Sequence, residues 1–245
     1  MRLETGAHLE HDHSPLAVAK RLGDGPPVSH LRDWIYGGID GAVTTFAIVA
    51  GALGADLSTR FVIIMGIANM VADGFSMAAA NYTSTQAEKD NHERVRAMEE
   101  RHILLDPEGE HEELRQIYAR KGFEGEDLDA LVDLTTKRKR HWIDVMMAEE
   151  HGLAPIERSA NRAAVTTFVA FVACGSIPLI PFIFLVPQAG LWALLATGLT
   201  FFLIGTVKAR WSLAPWWRSG LATLAIGMTA AGIAFLLGEG LANLI

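Results

Sequence analysis

Cysteine is nearly missing from this 245-residue sequence: Cys174 stands alone, inside an apolar run. One thiol can form neither an intrachain disulfide nor a Cys-based zinc site, so both are excluded, and Cys174 reads as a small buried hydrophobe. The first 34 residues lack the apolar core of a secretory signal; they are polar and hold Pro26-Pro27, which leaves membrane entry to the first apolar run. An excess of positive charge is also lacking. The net charge of −7 argues against a nucleic-acid partner and fits a chain that attracts cations.

Five stretches have almost no charge of either sign, and half of all residues are hydrophobic, with a mean hydropathy of +0.23. They cover roughly 35–54, 60–81, 163–186, 189–207 and 217–241, each near the ~20 residues that a bilayer crossing needs. A short turn over Ala55 to Thr59 joins the first two, and Pro187-Gln188 joins the third and fourth. Pro178 and Pro181 remove helical hydrogen bonds within the third stretch, which predicts a kink or a broken turn there. Small residues (Gly37, Gly38, Gly41, Gly51, Gly54, Ala78 to Ala80) would let neighbouring helices approach closely.

Basic residues gather on one side of these stretches. Lys20, Arg21 and Arg32 precede the first; Lys89, Arg158 and Arg162 bracket the long middle segment; Lys208, Arg210 and Arg218 lie between the fourth and fifth. The opposite connections hold only Arg60. The positive-inside rule therefore predicts a cytoplasmic N-terminal tail (1–34), a membrane pair (35–81), a cytoplasmic helical domain (82–162) and three further spans (163–245) with the C-terminus outside. With no targeting segment, the expected location is a bacterial inner membrane, or a vacuolar-type membrane in a eukaryote.

Six of the seven net negative charges come from residues 82–162, which hold 19 acidic and 13 basic side chains. Its pattern predicts a polar helix over 84–104 continuing the second span, and a turn at Asp106-Pro107-Glu108-Gly109. A second helix follows over 110–121, ended by Gly122. A third stretch, 126–151, is expected to bury Leu128, Leu131, Trp142 and Val145 and to stop at Gly152. The Lys137-Arg138-Lys139-Arg140 run reads as a solvated face.

Against this background Asp40 is out of place. It lies about one and a half turns inside the first apolar run, where a carboxylate costs about 2.5–3.5 kcal/mol, so it needs a partner or a task. The second run places Asn69, Asp73 and Met77 at i, i+4 and i+8, nearly on one helix face, where they offer oxygen and thioether donors together. Two acids and a methionine in neighbouring spans suggest a cation path. In the middle segment, Glu99 and His102 are three apart, as are Glu110 and Glu113, and Met146, Met147 and Glu150 cluster with Glu149 beside them. Carboxylate and imidazole suit Fe²⁺, Mn²⁺ and Zn²⁺, and thioether sulfur discriminates against Mg²⁺ and Ca²⁺. From spacing alone solvated glutamates are the better reading, and for Met146 and Met147 core packing. His8, His11 and His13 fit an unstructured polar tail, while His92, His111, His141 and His151 have no spacing that singles them out. Glu239 near the end of the fifth run reads as structural or solvated.

Several strings taken in order resemble the vacuolar iron transporter (VIT/CCC1) family across about residues 31 to 240. They are Gly-x-x-Asp-Gly-x-x-Thr-Thr-Phe-x-Ile-Val-x-Gly at 37–51, Ala72-Asp73-Gly74-Phe75-Ser76-Met77 and Ile177-Pro178-Leu179-Ile180-Pro181. Glu-Glu-Leu-x-x-Ile-Tyr-x-x-x-Gly at 112–122 and the Trp142 to Gly152 stretch belong with them. The resemblance implies an all-α membrane protein: a homodimer with five transmembrane helices per subunit and a cytoplasmic helical metal-binding domain between spans two and three. It implies export of Fe²⁺, and also Mn²⁺, in exchange for protons, with Asp40 and Met77 as intramembrane ligands and Asp73 assisting. Glu99, Glu110, Glu113, Met146, Met147 and Glu150 match the family's positions for ligands of the soluble domain. His102 stands where a glutamate is expected, so a site that includes it should lose affinity as pH falls through about 6 to 7. Ala80-Asn81 stands where a glycine–acid pair is expected.

The sequence therefore reads as a transporter of divalent transition metal, Fe²⁺ or Mn²⁺ as cargo with Zn²⁺ as a surrogate, and with no prosthetic group. Its partners are the metal ion, protons, membrane lipid and a second copy. A membrane-anchored metal sensor or storage protein is the main rival, but an anchor has no need of an intramembrane acid. A ferroxidase would need repeated Glu-x-x-His pairs on facing helices; Glu99-x-x-His102 stands alone and Glu108-x-x-His111 follows a turn, so no enzyme is expected.

Overall fold

The computed structural model describes residues 12–24, 28–155 and 158–244. His8, His11 and Pro26-Pro27 lie outside them. Every regular element among the described residues is a helix. In chain order these are α1 (Pro15–Asp24), α2 (Leu31–Gly54), α3 (Thr59–Leu105), α4 (Pro107–Arg120), α5 (Gly125–Thr136) and α6 (Lys139–Glu149), then α7 (Ala160–Ser176), α8 (Ile180–Ile183), α9 (Ala189–Lys208) and α10 (Trp216–Ala242). Five helical segments are long and apolar enough to cross a membrane: α2, α3, α7 with α8, α9 and α10. The polar tail holds an unanticipated short helix, α1, none of whose residues is buried.

Local chemistry sets the ends. Ser58 caps α3, its hydroxyl accepting from the Phe61 N–H. Asp106 caps α4 through Gly109, with Pro107 in the first turn, where a missing N–H costs nothing. The break expected at Pro178 and Pro181 is present: a 3-10 turn over Ile177–Leu179 separates α7 from α8 and buries Leu179 and Phe182 in the core.

The stretch expected as one helix over 126–151 is two. Arg138 is extended between α5 and α6 (φ −122°, ψ 91°). Thr135 and Thr136 donate their hydroxyls to the carbonyls of Leu131 and Val132 at 2.9 and 3.0 Å, a back-bonding that weakens helix continuation. Four consecutive cations follow, and their mutual repulsion disfavours further winding. The bend changes which residues face inward: Leu128 and Trp142 are buried as expected, but Leu131 and Val145 are half-buried, and Val132, Ile143, Met146 and Met147 take the core positions.

Helix α2 is the hub of the membrane part, packing on α3, α7, α9 and α10. Its tightest contact is with α7. A Cβ on Gly37 or Gly41 would sit 2.3 Å from the carbonyl oxygen of Thr167 or Phe171, so the two backbones touch along a turn that only glycine permits.

A polar knot fastens this pair to α3. Asp33, in the first turn of α2, is 1% exposed. Its carboxylate accepts from the Arg158 guanidinium and from Asn81 Nδ2 at 2.9 Å, and His30 Nδ1 lies 3.2 Å away. Asn81 also donates to Thr167 Oγ1 at 2.7 Å, while its carbonyl oxygen accepts from Arg158 at 3.1 Å. The amide is used as donor and acceptor at once. An acid at position 81 could not donate to Asp33 and would crowd two carboxylates onto one guanidinium, which accounts physically for asparagine here.

Removing Arg158 leaves Asp33 buried without its charge partner. Arg158→Ala should lower unfolding stability in detergent by about 3–5 kcal/mol, the usual cost of breaking a buried pair. Asp33→Asn combined with Arg158→Ala should recover part of that loss. Equal melting temperatures for wild type and Arg158→Ala would show that the knot is not holding the bundle.

Candidate metal sites

Two groups of donors lie along α3. The first is in the membrane part. Asp73 Oδ2 accepts from Asn69 Nδ2 at 2.6 Å, one turn earlier on the same helix, as the i, i+4 spacing requires. Asp40, facing from α2, is close enough to Asp73 to interact with it electrostatically. Asp40, Asp73 and Met77 are all half-buried. One turn beyond Asp73, Met77 lines a cavity of about 270 Å³ shared with Asp33, Asn81, Glu88 and Arg158. The knot described above therefore sits on the wall of the space that reaches Met77.

The second group is built where α3, α4 and the end of α6 meet. Glu99, on α3, is 1% exposed, and Glu110, on α4, is 5% exposed. Glu99 Oε1 lies 2.9 Å from His151 Nε2, and Glu110 Oε1 lies 3.2 Å from His102 Nδ1. The second oxygen of each carboxylate, Oε2, is buried with no amide, hydroxyl or ring N–H bonded to it, and the two carboxyl groups are close enough to share the Glu110 proton. Glu150 Oε2 is 3.6 Å from His151 Nε2. Glu113 stays exposed and acts on Glu110 and Glu150 through its charge.

The electrostatics follow from that crowding. Burial, then the charges of Glu99, Glu113 and Glu150, push the Glu110 carboxyl up to about 8. Burial raises Glu150 as well, and the neighbouring His151 works against that rise. Four carboxylates converging on a partly desolvated space cannot all stay ionised unless a cation joins them. Protons supply that charge in the metal-free chain, and a divalent cation would displace them.

The structure brings Glu99, Glu110, Glu113 and Glu150 together, with His102 at the edge on its half-exposed side chain. Met146 and Met147, 0% and 2% exposed, pack in the apolar core with Leu114, Val132 and Ile143. Glu149 turns away to an ion pair with Lys121. His151 is the group that spacing did not single out. It follows the last turn of α6, and Gly152 (φ 65°) then turns the chain back so that the Leu153 N–H reaches the Met147 carbonyl at 2.8 Å. The available signal was local: an imidazole between Glu150 and a helix-stopping glycine.

Known proteins carry the same arrangement of sequence. The model of the VIT family matches residues 31–239, from the start of α2 almost to the end of α10. The chain is 38% identical over 198 residues to a vacuolar iron transporter of Toxoplasma gondii, covering 74% of this chain and 64% of that relative's length. It is 33% identical over 208 residues to vacuolar iron transporter 1 of Eucalyptus grandis, covering 84% of each. To vacuolar iron transporter 1 of Arabidopsis thaliana it is 33% identical over 213 residues, covering 85% of each. A match that takes in all five apolar helices and the polar helices between them leaves one assignment: this integral membrane protein belongs to the VIT family.

Proposed function

We propose that the chain exports divalent transition metal from the cytoplasm, Fe²⁺ first and Mn²⁺ also, in exchange for protons. One observation carries this reading. One uninterrupted helix carries members of both donor groups, with Glu99 and His102 near its end and Asp73 and Met77 in its apolar part. Relatives named as iron transporters support iron as the cargo. The distribution of basic residues supports a cytoplasmic side for the polar helices.

In this reading the buried carboxylates collect the ion and replace part of its hydration before it meets the membrane. Asp40 and Met77 then coordinate it, with Asp73 held in place by Asn69. Protonation of Asp40 or Asp73 from the far side lowers the negative charge at the site and releases the ion. Zn²⁺ serves as a stable surrogate for binding measurements. The apolar outer face of α3, with Ile64, Ile67, Val71 and Phe75 exposed, supports pairing with a second copy in the membrane. A sensor or storage role leaves Asp40 unexplained, since an anchor needs no acid inside its span.

Two outcomes are expected. Asp40→Asn keeps the shape of the side chain but not its charge, so the chain should fold while metal flux in reconstituted vesicles falls. A loss of about 3 kcal/mol of charge stabilisation corresponds to roughly 100-fold in rate. Wild-type flux in a well-folded Asp40→Asn chain would remove Asp40 from the path.

The second concerns pH. Because Glu110 holds a proton up to about pH 8, metal binding must expel it. Affinity of the full chain for Zn²⁺ should therefore rise with pH, by up to about tenfold per unit below 8, and level off above. This places the proton competition higher than His102 alone would put it. Glu110→Gln should flatten the dependence between pH 7 and 8. A flat wild-type profile in calorimetry across that window would contradict the role given to Glu110.

A further inference from the structure

The donor that the carboxylate pattern does not supply is His151. Its Nε2 and one oxygen each of Glu99 and Glu150 lie within 4.8 Å of one another. They come from two places, the C-terminal part of α3 (Glu99) and the end of α6 with the residue after it (Glu150 and His151). We propose that His151 is a direct metal ligand, closing with Glu99 and Glu150 a three-donor nitrogen–oxygen site that favours Zn²⁺ and Fe²⁺ over Mn²⁺. This rests on the reading of the polar helices as a metal-collecting domain.

The geometry is close to a coordination shell before any ion arrives. Two ligands about 2.0–2.2 Å from a tetrahedral metal are themselves about 3.4 Å apart. His151 Nε2 stands 3.6 Å from Glu150 and 2.9 Å from Glu99, two edges within about half an ångström of that spacing, and all three donor atoms lie within 4.8 Å of one another. The imidazole satisfies a single oxygen of Glu99. The other, Oε2, is buried with no amide, hydroxyl or ring N–H bonded to it; the neighbouring Glu110 carboxyl shares its proton with Glu99, and a cation entering the gap would take that proton's place. The ring is held from behind by the turn at Gly152, whose backbone conformation folds His151 over α3.

Chemistry then sets the preference. Oxygen donors alone suit Mn²⁺ as well as they suit harder ions, whereas imidazole nitrogen raises affinity for Fe²⁺ and Zn²⁺. With His102 beside Glu110 on the other flank, the cluster offers nitrogen from two sides.

The test uses the full chain in detergent, metal-free, with one equivalent of Zn²⁺ or Mn²⁺. His151→Gln should weaken Zn²⁺ binding at least about tenfold and Mn²⁺ binding much less, so that the ratio of the two affinities falls. X-ray absorption at the zinc edge should lose part of its imidazole scattering in the same variant. His151→Asn, shorter by one methylene, gives a second variant if the first does not fold. Equal losses for both metals with unchanged imidazole scattering would make His151 a positioning residue for Glu99 and overturn the proposal, as would unchanged Zn²⁺ affinity. Failure of the wild-type chain to bind either metal would overturn the metal-collecting reading itself, a separate outcome from a wild type that binds both and a His151→Gln chain that matches it.

Discussion

The continuity of α3 is the constraint on which the rest of the structure depends. From Thr59 to Leu105 it has no proline, and its two glycines, Gly66 and Gly74, fall in the packed apolar part. Forty-seven residues at 1.5 Å each make a rod of about 70 Å, more than twice the ~30 Å of a bilayer's hydrocarbon core. The polar half stays helical with little burial because its side chains bond along the helix, as Gln86 does to Asp90 at 2.8 Å and Arg96 to Glu100 at 3.8 Å. Asp73, Met77, Asn81, Glu99 and His102 all ride on this one element. Their order and spacing are consequently fixed: about 33 Å of helix separates Met77 from Glu99.

A second consequence is electrostatic. Fixing Glu99 on a rigid helix and packing α4 and the end of α6 against it forces carboxylates together that would otherwise separate. Glu99 and Glu110 meet with only a shared proton between them, and Glu110 is held protonated well above the usual carboxylate range. The energy stored in that repulsion favours whatever positive charge enters. The same logic runs in reverse at Asp33, where Arg158 neutralises a buried acid and Asn81 and His30 complete its hydrogen bonds. One acid has a guanidinium beside it and is structural; Glu99 and Glu110 have only imidazoles and each other, and are available to a cation.

Much of the fold could be read from periodicity and composition. The five apolar helices, the extension of the second into a polar rod, its end at Asp106 and the break at Pro178 are local matters, and local sequence determines them; α4 starts at Pro107, three residues earlier than the spacing predicts. The division of α5 from α6 was harder, because it depends on threonine back-bonding and on charge repulsion inside a pattern that otherwise stays helical. The knot of Asp33, Asn81, Arg158 and Thr167 joins groups up to 125 positions apart and leaves no mark on local spacing. Asn81 looked like a departure from pattern until its two-sided hydrogen bonding was seen. Within the candidate sites, spacing identified which glutamates share a helix face, but the convergence of three helices decides which of them meet. His151 enters only through the turn at Gly152. Met146 and Met147 read from spacing as core more often than as ligands, and their side chains pack with Leu114, Val132 and Ile143.

The central claim is that metal moves across the membrane at the expense of protons bound by acids in its path. Metal flux into proteoliposomes containing the purified chain, with and without an imposed pH gradient, tests it most directly. Fe²⁺ uptake should accelerate when the lumen is acidic and should raise luminal pH as it proceeds. Uptake at the same rate with and without the gradient, with no movement of protons, would contradict the account.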